Sequence, residues 1–485
     1  MARSMAPGRL TRLSHRVTIS LWPATQKEDP MALQNDLTTG DVNRHILRYA
    51  SPLLLSNIFQ ALYNAVDMYF VGKYLGAAGL SAVSVSGSVM NILFMTIAGM
   101  SVGVSVVIGS HQGKGDISGL QKTAGTAISL YALCAVGITL LGLLFSPAIL
   151  RLCATPQEAY PMAVAYLRII FCGIPFTLGY HLICAFQRGF GDSRSSLLFV
   201  AIATCMNAVL DLILIRDFQL GARGAAIATV CSQALAFCLG VIYFRWKRHV
   251  ISFAPRAWRW DIPSLKDLVR LGLPSALQQL SLNVSHLTLN GIVNTYGLVA
   301  SAAYGIGVKL DSFAILPCNA INDAVAGFTS QNLGAGQEER ALSSIRAAQK
   351  ISLSVNAFLL VCIALLAPSL AGIFNDDPAV VQTAADYLHT VCMMYLLYAY
   401  VHPIIGFVKG SGNAMFTLVN GLEAQYLVRI PAALLLSKAL GLGLTGVALA
   451  WICAPAFSTI TYTCFLRRGK WKIRLQKARE RGSVL

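Results

Sequence analysis

Charge is what this sequence has least of. Only 12% of its residues are Asp, Glu, Lys or Arg, while 55% are hydrophobic; a soluble domain carries roughly 25% charged residues. The deficit excludes an ordinary water-soluble fold, because most of the surface must face something other than water. Acids are scarcer still, 21 against 38 bases, yet the surplus of positive charge does not indicate nucleic acid. The bases are not interleaved with aromatics on a polar face. They stand in short tracts between apolar runs, as from Arg245 to Arg270 and from Arg467 to Arg481, the pattern of cytoplasmic loops beside anionic lipid. Ordered cysteine patterns are also missing. The 12 cysteines are scattered singly, Cys134, Cys172, Cys205, Cys238, Cys362 and Cys464 within apolar segments, with no CxxC and no Cys/His metal spacing. They read as small buried hydrophobes without a disulfide framework.

What the chain has instead is apolar runs of membrane-spanning length, about 20 residues each. Twelve are expected: 50–72, 80–108, 122–145, 160–186, 195–215 and 223–244, then 270–293, 300–328, 345–368, 381–407, 415–437 and 444–466. The connections after even-numbered spans carry Lys114, Lys122, Arg188, Arg194, Arg245, Lys247, Arg248, Arg256, Arg259, Arg340, Arg346 and Lys409. The opposite connections carry only Lys73, Arg151, Arg216, Arg223 and Lys438. Positive charge marks the cytoplasmic side, so both termini are expected in the cytoplasm. The expected organisation is a basic tail over 1–45, a six-helix lobe over 46–245, a cytoplasmic linker over 246–269, a second lobe over 270–467 and a basic tail over 468–485. Residues 1–30 are polar and basic without the apolar core of a signal peptide, and Met31 is the expected native start.

The halves repeat each other at a shift of roughly 221 residues. Pro52 answers Pro274, Pro147 answers Pro368, Tyr166 answers Tyr387, and Gly221 and Gly224 answer Gly443 and Gly446; Gly113-Lys-Gly115 answers Gly334-Ala-Gly336, and Arg188-Gly-Phe-Gly-Asp192 answers Lys409-Gly-Ser-Gly-Asn413. Six spans per repeat give both halves one orientation. Two parallel bundles with a path between them are the architecture of rocking transporters.

An acid inside a span costs about 2.5–3.5 kcal/mol on insertion scales and is by default a functional hypothesis. Asp67 lies deep in the first span and Asp211 toward one end of the fifth. Gln60, Asn64 and Asp67 share one helix face, as do Asn207 and Asp211. Two such stripes most simply meet inside the first bundle, where paired carboxylates share a proton or bind a cation. The plainer alternative pairs Asp67 with Lys73 and Asp211 with Arg216. The second half has Leu289 and Ala432 at the matching positions. It offers Asn283, His286 and Asn290 as a polar stripe on the seventh span, Glu423 as a partner for Arg429 or for substrate, and Asp311, Asp323 and Asp386. His181, His389 and His402 are expected to be satisfied by backbone carbonyls.

Two nucleotide-binding patterns fail on context. Gly441-Leu-Gly-Leu-Thr-Gly446 fits GxGxxG but follows no strand, and Gly113-Lys114 lacks both the earlier glycine, where Ile108 stands, and the following Ser or Thr, where Gly115 stands. With no ATP motif, an ion gradient is the expected energy source. No metal-ligand pair or nucleophile with its base suggests an enzyme.

The segments Leu62-Tyr-Asn-Ala-Val-Asp67-Met-Tyr-Phe-Val-Gly72, Gly327-Phe-Thr-Ser-Gln331-Asn-Leu-Gly-Ala-Gly336 and the Gly-Ser-Gly-Asn413 turn resemble the multidrug and toxin extrusion (MATE) family, from about Leu37 to Arg468. The resemblance implies an all-α membrane protein whose twelve transmembrane helices form two six-helix lobes around a V-shaped central cleft. It implies export of small organic, often cationic, compounds in exchange for H+ or Na+. In one branch of the family the cation site lies in the first lobe, and here Asp67, Asn207 and Asp211 match it, with Thr229 similar to its last member. Gln60, Tyr63 and Asn64 would line that lobe's cavity, and Asn283, His286, Asn290 and Glu423 are the substrate-side candidates of the other lobe. A second branch places acids on the seventh and tenth helices; the seventh span here has none, which favours the first lobe. A monomer in the cytoplasmic membrane, with lipid as its surroundings and no cofactor beyond the coupling ion, is the expected state. The alternatives are a flippase for lipid-linked oligosaccharides, which would carry more cations in its central spans than Lys309, and a narrow-specificity metabolite exporter of the same fold.

Overall fold

A computed structural model describes residues 36–247, 250–473 and 476; the expected tail over 1–30 and the Met31 start lie outside them. The first half comprises α1 (Val42–Lys114), α2 (Ile117–Leu152), α3 (Tyr160–Gly189), α4 (Ser193–Asp211), a π-helical segment Leu212–Asp217 and α5 (Ala222–Trp246). The second comprises α6 (Ile262–Asn294), α7 (Leu298–Ala314), α8 (Leu316–Gly334), α9 (Glu338–Gly372), α10 (Pro378–Val391), α11 (Met393–Gly410) and α12 (Ala414–Leu422). After α12 come the π segment Glu423–Arg429, α13 (Ile430–Leu434), the π segment Leu435–Ala439 and α14 (Gly443–Arg467). No strand occurs among the described residues.

These pieces make twelve spans. α1 is two of them, broken at Gly76, whose φ of 65° is a turn only glycine adopts cheaply. α7 with α8, α10 with α11, and α12 with the segments after it each form one interrupted span. Among the described residues eight helices are long and apolar enough to cross a membrane by composition, and the α10–α11 pair, bent by 42°, makes a ninth. The three remaining spans are the first half of α1, α6 and the interrupted span beginning at α12. They are the spans that carry Asp67, His286 and Arg429, so polarity within them coincides with the candidate site residues.

Helix starts take up several of the chain's few acids. Asp41, Asp116, Asp192 and Asp261 each accept a hydrogen bond from the backbone N–H three residues on, at 2.7–3.1 Å, which satisfies amides that the first helical turn leaves open. The linker packs onto the first lobe: the Phe253 ring meets Phe186 at a tilt and Phe244 edge-on, and Thr126 donates to the Arg259 carbonyl. His389 and His402 lie 2.9 and 3.0 Å from the Ala364 and Tyr398 carbonyls, as expected.

The two halves meet at the end carrying Lys114, Arg188, Arg340 and Lys409. There the second half of α1 crosses α6 and α8 on small residues. A Cβ at Gly99 would stand 2.4 Å from the Ala276 backbone, and one at Gly113 only 1.9 Å from the Gln331 carbonyl oxygen; Gly334 meets the Ser110 carbonyl in the same way. Gln331 Nε2 donates to the Gly189 carbonyl at 2.8 Å. Arg340 holds the segment before α1, donating to the carbonyls of Leu37, Thr39 and Gly40. The glycines of the two rejected nucleotide patterns are thereby explained: Gly113 and Gly446 give close backbone approach, and Gly115, Gly441 and Gly443 have positive φ.

Candidate functional site

The polar residues of the first lobe converge. Tyr63 and Asp67 lie one turn apart on α1. Asn207 and Asp211 lie one turn apart at the end of α4, where the helix widens into the π segment Leu212–Asp217, a geometry frequent at functional sites. Thr229 and Ser232 face them from α5. The Tyr63 hydroxyl is 3.1 Å from Ser232 Oγ, and Thr229 is also within its reach. Tyr166 of α3 is buried close to both carboxylates and to Tyr63.

Burial is nearly complete: Asp67 and Thr229 are 8% exposed, and Asn207 and Asp211 are fully buried. Five polar atoms here have no hydrogen-bond partner, namely Asp67 Oδ1, both oxygens of Asp211, and Oδ1 and Nδ2 of Asn207. Neither carboxylate joins an ion pair among the described residues. Lys73 is exposed and hydrogen-bonds to Tyr69, and Arg216 pairs with Asp217 at 3.8 Å. The simple base pairings are thus excluded. Asp67 and Asp211 lie close enough to repel each other when both are ionised. Two buried carboxylates without a cation are strongly unfavourable. They are relieved by a proton or by a hard cation on oxygen ligands, and the four orphaned oxygens of Asp67, Asp211 and Asn207 fit either.

Gln60 and Asn64 are exposed beside this cluster. In the second lobe Asn290 is exposed, Asn283 bonds its own helix through the Gln279 carbonyl at 3.0 Å, and Glu423 is half-buried. Two expectations need correction. Glu423 forms no ion pair with Arg429 among the described residues; the Arg429 guanidinium lies 4.1 Å over the Trp451 ring and donates to the Tyr398 hydroxyl. Nor is Lys309 the notable cation of the membrane spans: it is exposed, over Phe374, whereas Arg429 is 1% exposed. Asp311, one of the acids of the second half, is buried and held by the hydroxyls of Tyr387 and Tyr395. The repeat partners Tyr166 and Tyr387 mark this correspondence in the sequence, since each stands beside a buried acid in its own lobe.

The MatE family model matches residues 52–213 and again 274–435, a shift of 222 at both ends. A probable multidrug resistance protein of Bacillus subtilis, YpnP, is 30% identical over 90% of this chain and 97% of its own length. The probable multidrug resistance protein NorM of Thermotoga maritima is 25% identical over 91% and 96%. A crystal structure of MATE in complex with MaL6 superposes with a TM-score of 0.85 at 24% identity, covering 94% of this chain and all of that one. The fold it shares is the two-lobe helical bundle. With both repeats matched and a relative alike over nearly its whole length, the chain belongs to the MatE family of multidrug efflux transporters.

Proposed function

We propose that this protein is a secondary active exporter of small organic solutes, cations foremost, driven by inward movement of H+ or Na+ at Asp67, Asn207, Asp211 and Thr229. The observation that carries the reading is the pair of buried carboxylates with orphaned oxygens and no basic partner. A carboxylate pair neutralised by a structural base could not load and unload a cation; this one can. The membrane is the cytoplasmic membrane, with both termini on the cytoplasmic side, supported by the crowding of basic residues at the helix ends where the lobes touch. The lobes then close toward the cytoplasm and part toward the outside. An external cation binds at Asp67 and Asp211, removes the repulsion between them and lets α1 settle differently against α4 and α5. Solute leaves the cleft, and the cation-loaded lobes rock inward. The chain works as a monomer, since its two lobes enclose the path. Gln60, Tyr63 and Asn64 flank the cation site and meet solute from the first lobe.

The test is ethidium movement in sealed vesicles under an imposed proton or sodium gradient, with Asp67→Asn alongside. Transport driven by one gradient and lost in the variant supports the reading and names the ion. A fully active Asp67→Asn refutes the site. Dye that moves under neither gradient returns the choice to a flippase or a narrow metabolite exporter.

A further inference from the structure

The second lobe contains a counterpart of the cation site with its electrical character reversed. The 222-residue shift sets Asn64 against His286, Asn207 against Arg429 and Thr229 against Trp451, while Asp67 falls against Leu289 and Asp211 against Ala433, not the Ala432 expected from a shift of 221. A shift of 221 relates Asp192 to Asn413, and one of 222 relates Gly221 to Gly443. The added residue is taken up by the π segment Glu423–Arg429, where the first repeat is plain α-helix over Ser193–Asp211. The acids of the first lobe are therefore replaced by buried apolar residues, and a permanent cation stands where the first lobe has an amide.

The three counterparts meet in space. The Arg429 guanidinium lies on the Trp451 ring, and the His286 ring packs edge-on against the same indole at 5.0 Å. Trp451 Nε1 in turn donates to the Tyr304 hydroxyl. Arg429 uses one nitrogen, Nη2, on the Tyr398 hydroxyl; Nε and Nη1, which carry three N–H donors between them, have no partner. Arg429 joins no ion pair among the described residues, and the nearby buried acid, Asp311, is held by Tyr387 and Tyr395. A guanidinium cannot lose its proton to escape burial, so its open donors require an anion. His286 and Tyr398 are only half-buried, which leaves the guanidinium one side chain below an accessible surface.

We infer that the second lobe holds a monoanion site built on Arg429, His286 and Trp451, and that the carboxylate of a transported solute fills it. Two open nitrogens on a planar fork suit two carboxylate oxygens, and the indole and imidazole offer ring surface to an aromatic solute. The substrate class this defines is aromatic carboxylates and zwitterions, the positive end of a zwitterion facing the Asp67 lobe. That the solute is transported rests on the exporter reading above; that the site binds a carboxylate does not.

The experiment is calorimetric titration of the purified full-length protein in neutral detergent, without any gradient, using potassium benzoate, neutral benzamide and potassium chloride. Saturable binding of benzoate but not benzamide is expected, weakened at least about tenfold by Arg429→Gln, the loss of a charge-assisted pair, and less by Arg429→Lys. Benzoate binding that Arg429→Gln leaves unchanged, or no benzoate binding at all, overturns the site. Chloride that displaces benzoate at lower concentration than benzoate itself requires assigns the site to a resident halide and overturns the solute carboxylate. Should Arg429→Gln fail to fold, the benzoate–benzamide contrast in the unmodified protein and the Arg429→Lys titration still decide. Failure of ethidium transport leaves this binding result standing, so the two readings fail separately.

Discussion

The Tyr63 hydroxyl lies 3.1 Å from Ser232 Oγ, joining α1 to α5 one helical turn from Asp67. The bond fixes the height of α1 against the rest of the first lobe, and with it the position of the carboxylate. Tyr63→Phe removes it while keeping the ring. The expected outcome is a loss of about 1 kcal/mol of stability together with weakened ion coupling. Thermal unfolding and gradient-driven efflux measured on one preparation check this. Unchanged coupling would show that the bond does not position Asp67.

The lobes depend on glycine where α1 crosses α8. Gly113→Val places a methyl-bearing carbon against the Gln331 carbonyl, where even a Cβ would stand 1.9 Å away, and backbone cannot yield as a flexible side chain does. The lobes must part at their basic end. Hydrogen exchange of amides in 105–114 and 327–334 is expected to rise while α10 stays protected. Equal protection in both variant and parent would remove the proposed contact.

Arg340 pins the segment before α1 through four hydrogen bonds to three carbonyls, with its guanidinium 5.3 Å over the Phe328 ring. Arg340→Ala is expected to cost about 2 kcal/mol, partial exposure limiting the value of charged hydrogen bonds, and to open the chain near Arg44 to trypsin. Arg340→Lys restores one contact and part of the resistance. A cleavage rate at Arg44 identical to the parent's would contradict the pinning.

Asp116 caps α2 by accepting from the Gly119 amide at 2.9 Å, and His111 Nδ1 lies 3.0 Å from its other oxygen. The Gly119 hydrogen bond holds its carboxyl below the ordinary value of 3.8, against a smaller opposing effect of burial. A depressed carboxylate contributes stability above its unfolded pKa and loses it as pH falls through the folded one. Asp116→Ala is therefore expected to lower stability by about 1 kcal/mol at neutral pH, with the difference fading in acid below the ordinary carboxylate range. A difference between variant and parent that persists unchanged in strong acid argues against the cap.

Much of this protein was determined by local sequence. Apolar runs of membrane length dictate helices, because in hydrocarbon every backbone amide must be satisfied within its own segment. Pro52 and Pro274, with Gly221 and Gly443, revealed the repeat because a proline inside a helix and a glycine with positive φ are backbone requirements that substitution cannot hide. Asp67 and Asp211 stood out because charge is costly in such surroundings. What only the tertiary structure decided is what each polar group meets. That Lys73 and Arg216 turn outward, that Tyr166 joins the carboxylates from α3, and that Arg429 finds Trp451 and Tyr398 in place of Glu423 all depend on contacts between distant segments. A π segment that adds one residue rotates every side chain after it by about 100°, so helical spacing counted along the chain could not place Arg429. Sequence fixes the period of a helix; only packing chooses which of its faces are buried together.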